Sequence, residues 1–285
     1  MDGIIISSIA GKYKVACLEQ VYECTAKGAF RKERIKPLVG DNVSIDEHDL
    51  VIKEIYPRKS ELVRPNVANI DQLIIVHSYL QPAFSYGLIL KYLTYANMNG
   101  IKASVVISKV DKCENKGDLQ GILEVFHSID VPVYFVNSKA REGIEEVKKI
   151  FDNNIVALIG TSGVGKSTLL NAINPLYNRE EGEYSYSLKG GKHKTKEVVL
   201  LPYEGGYLVD TPGFYSLQLN LKKEDLAKFY PGMYIRNQDC YFSNCLHLEE
   251  KGCAIKTDLA EGKLPKIVYD SYKQLLNEIA ENNRR

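Results

Sequence analysis

The sequence predicts a multidomain chain of three successive parts: a small β-barrel, an α/β layer and a C-terminal helical part. Short apolar runs separated by turns fill the first part, and strand-like runs alternate with segments of helical length in the second. In the third part apolar residues recur at helical spacing. At 285 residues, the chain is longer than one hydrophobic core usually serves. We therefore place the three domains at residues 1–62, 63–218 and 219–285.

The first part is expected to be a barrel of the oligonucleotide-binding (OB) type, because its strand-like runs are short and evenly spaced. These runs lie at residues 3–6, 13–18, 21–24 and 42–45. A basic stretch at residues 27–36 holds five Lys and Arg residues and one Glu. This stretch is either a solvated loop or a contact for an acidic partner.

The second part predicts a mostly parallel sheet covered by helices. Its apolar runs lie at residues 73–76, 103–107, 133–136, 155–159 and 206–209. The third part predicts a helix that begins near Pro265. The apolar positions of that helix are Val268, Tyr272, Leu275, Leu276 and Ile279.

Composition excludes several classes of protein. Hydrophobic residues make up 45% and charged residues 26% of the chain, which is typical of a globular rather than a disordered protein. No apolar run approaches the roughly 20 residues that a bilayer requires, and the first residues lack the pattern of a signal peptide. We expect no membrane contact, a cytoplasmic location and a monomer. A net charge of +1 does not by itself indicate a nucleic-acid partner.

A phosphate-binding loop is the strongest motif in the chain. It follows an apolar run, precedes a helical pattern and matches G-x-x-x-x-G-K-[ST] without a mismatch. Its residues are Gly160, Thr161, Ser162, Gly163, Val164, Gly165, Lys166, Ser167 and Thr168. Glycines let successive backbone N–H groups face a phosphate. Lys166 is expected to reach the β- and γ-phosphates, and Ser167 to ligate Mg²⁺.

The choice between ATP and GTP depends on a second motif. Guanine presents two N–H donors to a carboxylate, and the stem of a lysine can lie on its ring. Ser108, Lys109, Val110 and Asp111 supply this pair at the end of an apolar run and resemble the N-K-x-D motif of GTPases. Ser108 replaces the usual Asn, whose amide bonds both to the base and to the phosphate loop. A Ser hydroxyl can make one of these bonds but not both. Weaker nucleotide affinity is therefore expected.

A second base-contacting loop follows the apolar run at residues 133–136. Ser138 and Lys139, after Asn137, resemble the S-A-K/L loop of GTPases. One competing K-x-D match, which ends at Asp258, follows a cysteine cluster rather than a buried strand. We therefore assign base recognition to Asp111.

Two further elements predict a nucleotide switch. Asp210 and Gly213 match D-x-x-G, in which the Asp holds Mg²⁺ through water and the Gly amide contacts the γ-phosphate. Upstream, Thr195 is the candidate for a second hydroxyl on Mg²⁺. Phe214 stands where many GTPases carry a Gln that orients water, so unaided turnover should be slow. His193 is the nearest candidate to replace that Gln, or else a polar loop residue.

The order of these motifs is rotated relative to an ordinary GTPase. The base motif comes first, at residue 108, and the phosphate loop follows at residue 160. The central part is therefore predicted to be a circularly permuted P-loop GTPase. The D-x-x-G element then leads directly into the C-terminal part. A motion of this element that depends on the γ-phosphate would be transmitted to that part.

A cysteine cluster predicts a metal site in the C-terminal part. Cys240, Cys245, His247 and Cys253 offer three thiolates and one imidazole within fourteen residues. Zn²⁺ favours a tetrahedral Cys₃His set, and four protein ligands leave no open position for a substrate. The sequence therefore predicts one structural Zn²⁺ in a C-terminal helical zinc-binding module.

Together these motifs resemble the bacterial ribosome small-subunit-dependent GTPase A family. The resemblance includes the segments 40–43 and 64–72, the switch 191–193 and the cysteine cluster. Departures are Ser108 for Asn, Lys194 for Thr, which leaves Thr195 as the switch hydroxyl, and Lys251 for Pro. The resemblance implies a GTPase of late small (30S) subunit maturation that uses GTP/GDP and Mg²⁺. It also implies contacts of the barrel and zinc module with 16S rRNA, and stimulation by the subunit.

Two rival classes remain open at this point. One is an ATP-dependent phosphotransferase, against which Asp111 argues because its carboxylate matches guanine. The other is an RNA-binding module that holds GTP structurally, with which Phe214 is compatible. Kinetics would separate the second rival from a partner-activated enzyme.

Overall fold

The computed structural model describes residues 1–18, 20–32, 35–63, 66–175, 198–210, 217 and 219–282, without the side chains of 31, 32, 63 and 210. The chain forms two compact units, each discontinuous in sequence. The first comprises Met1–Leu73, Ile144–Leu158 and Ser167–Phe214. The second comprises Ile74–Gly143, Ile159–Lys166 and Tyr215–Arg285.

Short strands come first in the chain, and helices and strands then alternate. The strands are β1 (Asp2–Ile9), β2 (Lys12–Cys17), β3 (Gln20–Ala26), β4 (Asn42–Asp46), β5 (Val51–Ile55), β6 (Glu61–Val63), β7 (Asn66–Ala68), β8 (Gln72–Ser78), β9 (Lys102–Ser108), β10 (Val133–Val136), β11 (Ile155–Ile159), β12 (Val199–Tyr203) and β13 (Gly206–Asp210). The α-helices are α1 (Gly28–Lys32), α2 (Tyr86–Met98), α3 (Lys116–His127), α4 (Ile144–Lys148), α5 (Lys166–Ile173), α6 (Ala254–Ala260) and α7 (Lys266–Asn282). Short 3₁₀ helices cover Val110–Lys112, Lys223–Lys228 and Arg236–Asp239.

A closed five-stranded barrel begins the first unit. Antiparallel pairs join β1 to β2, β2 to β3, β4 to β5 and β1 to β4, and a parallel pair joins β3 to β5. This circuit leaves no free edge, so the predicted barrel is confirmed. The predicted strands correspond to β1–β4. β5 is not predicted from the sequence, because Lys53 and Glu54 interrupt its apolar alternation.

The interior of the barrel is filled by the alternate side chains of its strands. Ile5, Val15, Val43 and Ile52 are fully buried there. The basic stretch that follows β3 begins in helix α1 rather than in a loop, since Phe30 of this helix is buried.

A buried ion pair fastens the barrel to the strands that follow it. Asp41 is 0% exposed, and its carboxylate accepts hydrogen bonds from Arg58 Nε at 2.7 Å, Arg58 Nη2 at 2.8 Å and the Leu38 amide at 2.7 Å. Arg58 also donates to Lys36 O and to Glu61. The hydrogen bonds to Asp41 raise the pKa of Arg58 further above its ordinary value, so the guanidinium stays charged.

Strands from the central part of the sequence continue the sheet within the first unit. β1 pairs with β12 at Ser7 and Val199, β12 runs antiparallel to β13, and β13 runs parallel to β11. The parallel pair brings the carboxyl end of β11, where the phosphate loop begins, to the same edge as Asp210.

The second unit combines three neighbouring strands with the C-terminal helices. Its strand order is β10-β9-β8, and β9 and β10 are parallel. Helix α7 packs on α2, and Lys91 of α2 pairs with Glu278 of α7 at 2.5 Å. The five apolar residues predicted for the C-terminal helix are all buried in α7, so that prediction is confirmed. In the described part of the chain, no helix has the length and apolarity that crossing a bilayer would demand.

We predict that Arg58→Leu destabilises the first unit by about 3 kcal/mol, because it leaves the Asp41 carboxylate buried without its partner. The control is Lys12→Met, which breaks the exposed Lys12–Glu23 pair and should destabilise the protein far less, because solvent screens the two charges. Urea unfolding followed by circular dichroism measures both changes. Equal losses in the two variants would contradict the structural importance of the buried pair.

Candidate functional site

The predicted base-reading motif forms a tight turn at the carboxyl end of β9. Ser108 ends the strand and is 2% exposed. Lys109 adopts a left-handed conformation with φ of 59°, and Val110–Lys112 makes one 3₁₀ turn. This turn leaves the carboxylate-bearing Asp111 exposed to solvent, where it can meet a ligand.

Two hydrogen bonds join this turn to the phosphate loop. The Ser108 hydroxyl donates to Val164 O at 2.5 Å, and Lys109 Nζ donates to Gly163 O at 2.6 Å. Lys109 Nζ also donates to Gln81 O at 2.5 Å, so its ammonium is held between two backbone segments. Ser108 therefore makes one of the bonds that an Asn would make at this position. The Gln81 contact has no signal in the sequence, because it uses a backbone carbonyl.

The phosphate loop runs from β11 to α5 in the strand–loop–helix arrangement that its sequence predicts. Gly160 is required by close packing, because a Cβ there would lie 2.2 Å from Val76 O. Gly163 and Gly165 have φ of 80° and 97°, a region that favours glycine. These conformations curl the backbone between them.

Lys166 curls back over its own loop. Its ammonium donates to Gly160 O at 2.6 Å and to Thr161 O at 2.9 Å. Burial lowers the pKa of Lys166 from its ordinary value. Ser167 and Thr168 follow in the first turn of α5 with exposed side chains. Their hydroxyl oxygens are the kind of donor that Mg²⁺ accepts.

The second loop predicted to contact the base lies beside the first. Val136 of β10 pairs in parallel register with Ser108 of β9, so Ser138 and Lys139 leave the sheet at the same edge as Asp111. Backbone hydrogen bonds between Asn137 and Glu142 at 3.1 Å close this loop. The structure therefore brings the two predicted base motifs together.

The carboxylate of the competing K-x-D match, Asp258, forms an ion pair in the C-terminal part. Asp258 lies in helix α6 and accepts a hydrogen bond from Arg236 Nε at 2.9 Å. This geometry commits the carboxylate to an ion pair within the C-terminal part, as expected from its position after the cysteine cluster.

The predicted switch residues lie largely outside the described part of the chain. His193, Thr195, Gly213 and Phe214 are among the residues that are not described. Asp210 ends β13, and its side chain is likewise not described.

The four predicted metal ligands converge in the second unit. The donor atoms of Cys240, Cys245, His247 and Cys253 all lie within 4.8 Å of one another. Cys240 Sγ lies 3.5 Å from His247 Nδ1 and 4.0 Å from Cys253 Sγ, and His247 Nδ1 lies 3.4 Å from Cys253 Sγ. A tetrahedral Zn²⁺ with its usual bond lengths separates such donors by about 3.5–3.8 Å, so the cluster fits this ion.

Burial of the cluster disfavours free thiolates. Burial raises the pKa of Cys245 to about 12 and raises the pKa of Cys253. Burial lowers the pKa of His247, which favours the neutral imidazole that binds metals. Thiolates in this setting require a cation close by, which agrees with a metal-binding role.

Supporting contacts around the cluster were not evident from the sequence. The Glu250 carboxylate accepts hydrogen bonds from the amides of Leu246 and Leu248 at 2.9 and 2.7 Å. The Tyr269 hydroxyl donates to His247 O at 2.7 Å, and the Tyr272 hydroxyl to Leu246 O at 3.2 Å. These bonds hold the loop that carries His247 in place from both sides.

Comparisons with known proteins agree with the geometry. The family model described as the RsgA GTPase matches residues 55–220, and the RsgA N-terminal domain matches residues 2–50. A Clostridium acetobutylicum relative named small ribosomal subunit biogenesis GTPase RsgA is 40% identical over 283 residues, covering 98% of each chain. A relative of the same name from Halalkalibacterium halodurans is 37% identical and covers 99% of this chain and 98% of its own.

Solved structures show the same fold. YloQ, a circularly permuted GTPase, superposes with a TM-score of 0.83 at 32% identity, covering 99% of this chain and 95% of its own. YjeQ from Thermotoga maritima superposes with a TM-score of 0.81 at 32% identity, covering 98% of both chains. The predicted fold class, with its barrel and permuted GTPase, is therefore confirmed.

We predict that the purified chain holds about one zinc ion and that Cys253→Ser lowers this content sharply, since one of four ligands is lost. Elemental analysis by mass spectrometry measures the metal. Cys113→Ser is the matched control, because Cys113 is half-exposed and outside the cluster, and it should keep the ion. Retention of zinc by Cys253→Ser would contradict the assigned ligand set.

Proposed function

The chain belongs to the RsgA GTPase family and is a GTP hydrolase, and from this premise we propose that it acts in late maturation of the small (30S) ribosomal subunit, which stimulates its turnover. The observation that supports the proposal is the extent of the match. Relatives named for small-subunit biogenesis align with 98% or more of this chain, including the barrel and the C-terminal part.

Recognition of guanine is assigned to the turn after β9. The Asp111 carboxylate would accept hydrogen bonds from the N1–H and N2–H donors of the base. The aliphatic stem of Lys109, whose ammonium is held by Gly163 O and Gln81 O, would lie on the base ring. Ser138 and Lys139 would complete the pocket from the neighbouring loop.

Phosphate binding is assigned to the loop at residues 160–168. Its backbone amides would surround the β-phosphate, and Lys166 would exchange its present carbonyl partners for phosphate oxygens. Ser167, Thr195 and Asp210 would hold Mg²⁺, Asp210 through water. The ion would supply positive charge against the phosphate oxygens as the bond to the γ-phosphate breaks.

Hydrolysis requires a group that orients water, and Phe214 lacks one. The Gly213 amide would contact the γ-phosphate, and His193 is our candidate for the orienting group. Contact with the small subunit would position His193, so turnover would be slow in its absence.

The flanking parts are assigned to the ribosome. We propose that residues 1–62 and 219–285 act as separate domains on either side of the GTPase domain at 63–218. The barrel, through its basic stretch, and the zinc-bearing module would contact 16S rRNA. The protein would work as a monomer in the cytoplasm, where small subunits assemble.

We predict that Asp111→Asn lowers the affinity for GTP at least about a hundredfold and creates activity with xanthosine triphosphate. Xanthine carries a carbonyl where guanine carries its amino group, and an Asn amide can donate to that oxygen. Turnover of both nucleotides measures the change. Asp258→Asn is the control and should keep the preference for GTP. A preference for xanthosine triphosphate in that variant would instead assign base recognition to the competing motif.

We predict slow GTP turnover by the protein alone and a strong rise with isolated small subunits, measured as phosphate release. Lys166→Ala should abolish both rates, because the ammonium that neutralises the phosphates is lost. ATP is the control substrate and should be poorly hydrolysed. A rate of GTP turnover that does not change when subunits are added would contradict the role in subunit maturation, but not the GTPase activity.

A further inference from the structure

The loop between the first two metal ligands presents two aromatic side chains to solvent. Tyr241 is 81% exposed and Phe242 is 44% exposed, and their ring centroids lie 4.9 Å apart in an edge-to-face arrangement. Their chain neighbours Ser243 and Asn244 are exposed and polar. The two rings are therefore followed in the chain by polar rather than apolar side chains.

The backbone under this pair is fixed. The Tyr241 amide donates to Gly252 O at 3.0 Å, and the Cys245 amide donates to Phe242 O at 3.2 Å. Gly252 has φ of 66°, and a Cβ there would lie 2.9 Å from Tyr241 Cβ, so its glycine permits the close approach. Because the loop is already ordered, a ligand that stacks on these rings meets a smaller entropic cost.

The uncommitted charge beside the pair is positive. Glu250 is occupied by backbone amides, and Glu249 lies 4.0 Å from Lys256. Lys251 precedes Gly252, is exposed, and has no hydrogen-bond or ion-pair partner among the described residues. Lys251 is adjacent in the chain to Gly252, which contacts Tyr241, and an ammonium on the same loop as exposed rings complements a phosphodiester backbone whose bases are unstacked.

We propose that Tyr241 and Phe242 stack on unpaired bases of an RNA single strand, with Lys251 against a phosphate of that strand. This inference rests on the proposed function, since the small subunit supplies the RNA. A stable protein interface buries about 800 Å² on each partner. Two rings followed by polar residues supply only a small part of that area. Base stacking needs only the ring faces.

The first test exploits the absence of tryptophan from the chain. Tyr241→Trp places a single indole in the loop, and stacking on a base quenches indole fluorescence. Titration of this variant with oligouridylate should quench the emission. Adding Lys251→Gln to it should lower the affinity for the RNA and reduce the dependence of that affinity on salt. Emission that does not change with the RNA overturns the proposal, whatever the outcome with subunits.

The second test measures affinity for isolated small subunits. Replacing both rings with Leu keeps apolar groups but removes stacking, and should weaken binding by about tenfold or more, whereas replacing both with Trp should preserve it. Zinc content and turnover without subunits should stay unchanged, and Tyr234→Leu, at an exposed tyrosine outside the loop, should bind normally.

The outcomes of the second test are distinct. Equal affinity of the Leu and Trp variants overturns stacking and indicates an apolar contact with a protein. Failure of the unsubstituted protein to bind subunits refutes the proposed function instead, and the oligouridylate titration then decides this inference alone.

Discussion

The hydrogen bond from the Ser108 hydroxyl to Val164 O is the contact on which the candidate nucleotide site depends. It joins segments 56 residues apart, the turn that would read the base and the loop that would hold the phosphates. The Lys109 ammonium reinforces it by bonding to Gly163 O. A nucleotide has a fixed distance between base and phosphates, so a site that holds both ends in register gains affinity through preorganisation.

The same constraint explains how a rotated chain order can keep a GTPase site. What matters is that each motif follows the carboxyl end of a parallel strand, where open α/β sheets bind ligands. In the second unit, β9 and β10 bring the two predicted base motifs to one edge. In the first unit, β11 and β13 bring the start of the phosphate loop and Asp210 to one edge. None of these pairings depends on which motif comes first in the chain. The C-terminal cluster relies instead on ligands close in sequence, with burial and the hydrogen bonds of Glu250, Tyr269 and Tyr272 holding its loop.

The sequence predicts most of this arrangement because its motifs are contiguous and chemically distinctive. The phosphate loop, the base turn, the Cys₃His set and the apolar stripe of α7 are each visible in a few residues. Features that depend on tertiary contacts were missed. β5 has charged residues at its centre, α1 is anchored by one buried Phe30, and the bond from Lys109 to Gln81 uses only a backbone carbonyl. The roles assigned to His193 and Thr195 stay predictions, since both lie outside the described residues.

The rate of GDP release from Ser108→Ala tests the central claim most directly, with a fluorescent GDP followed by stopped flow. Loss of the hydroxyl leaves the Val164 carbonyl without this partner, a cost of about 1–3 kcal/mol, so release should accelerate by about tenfold. Ser104→Ala, at a buried serine of the same strand, should leave the rate unchanged. Equal release rates from Ser108→Ala and the unsubstituted protein would contradict the account, because the base turn and the phosphate loop would then not depend on this bond.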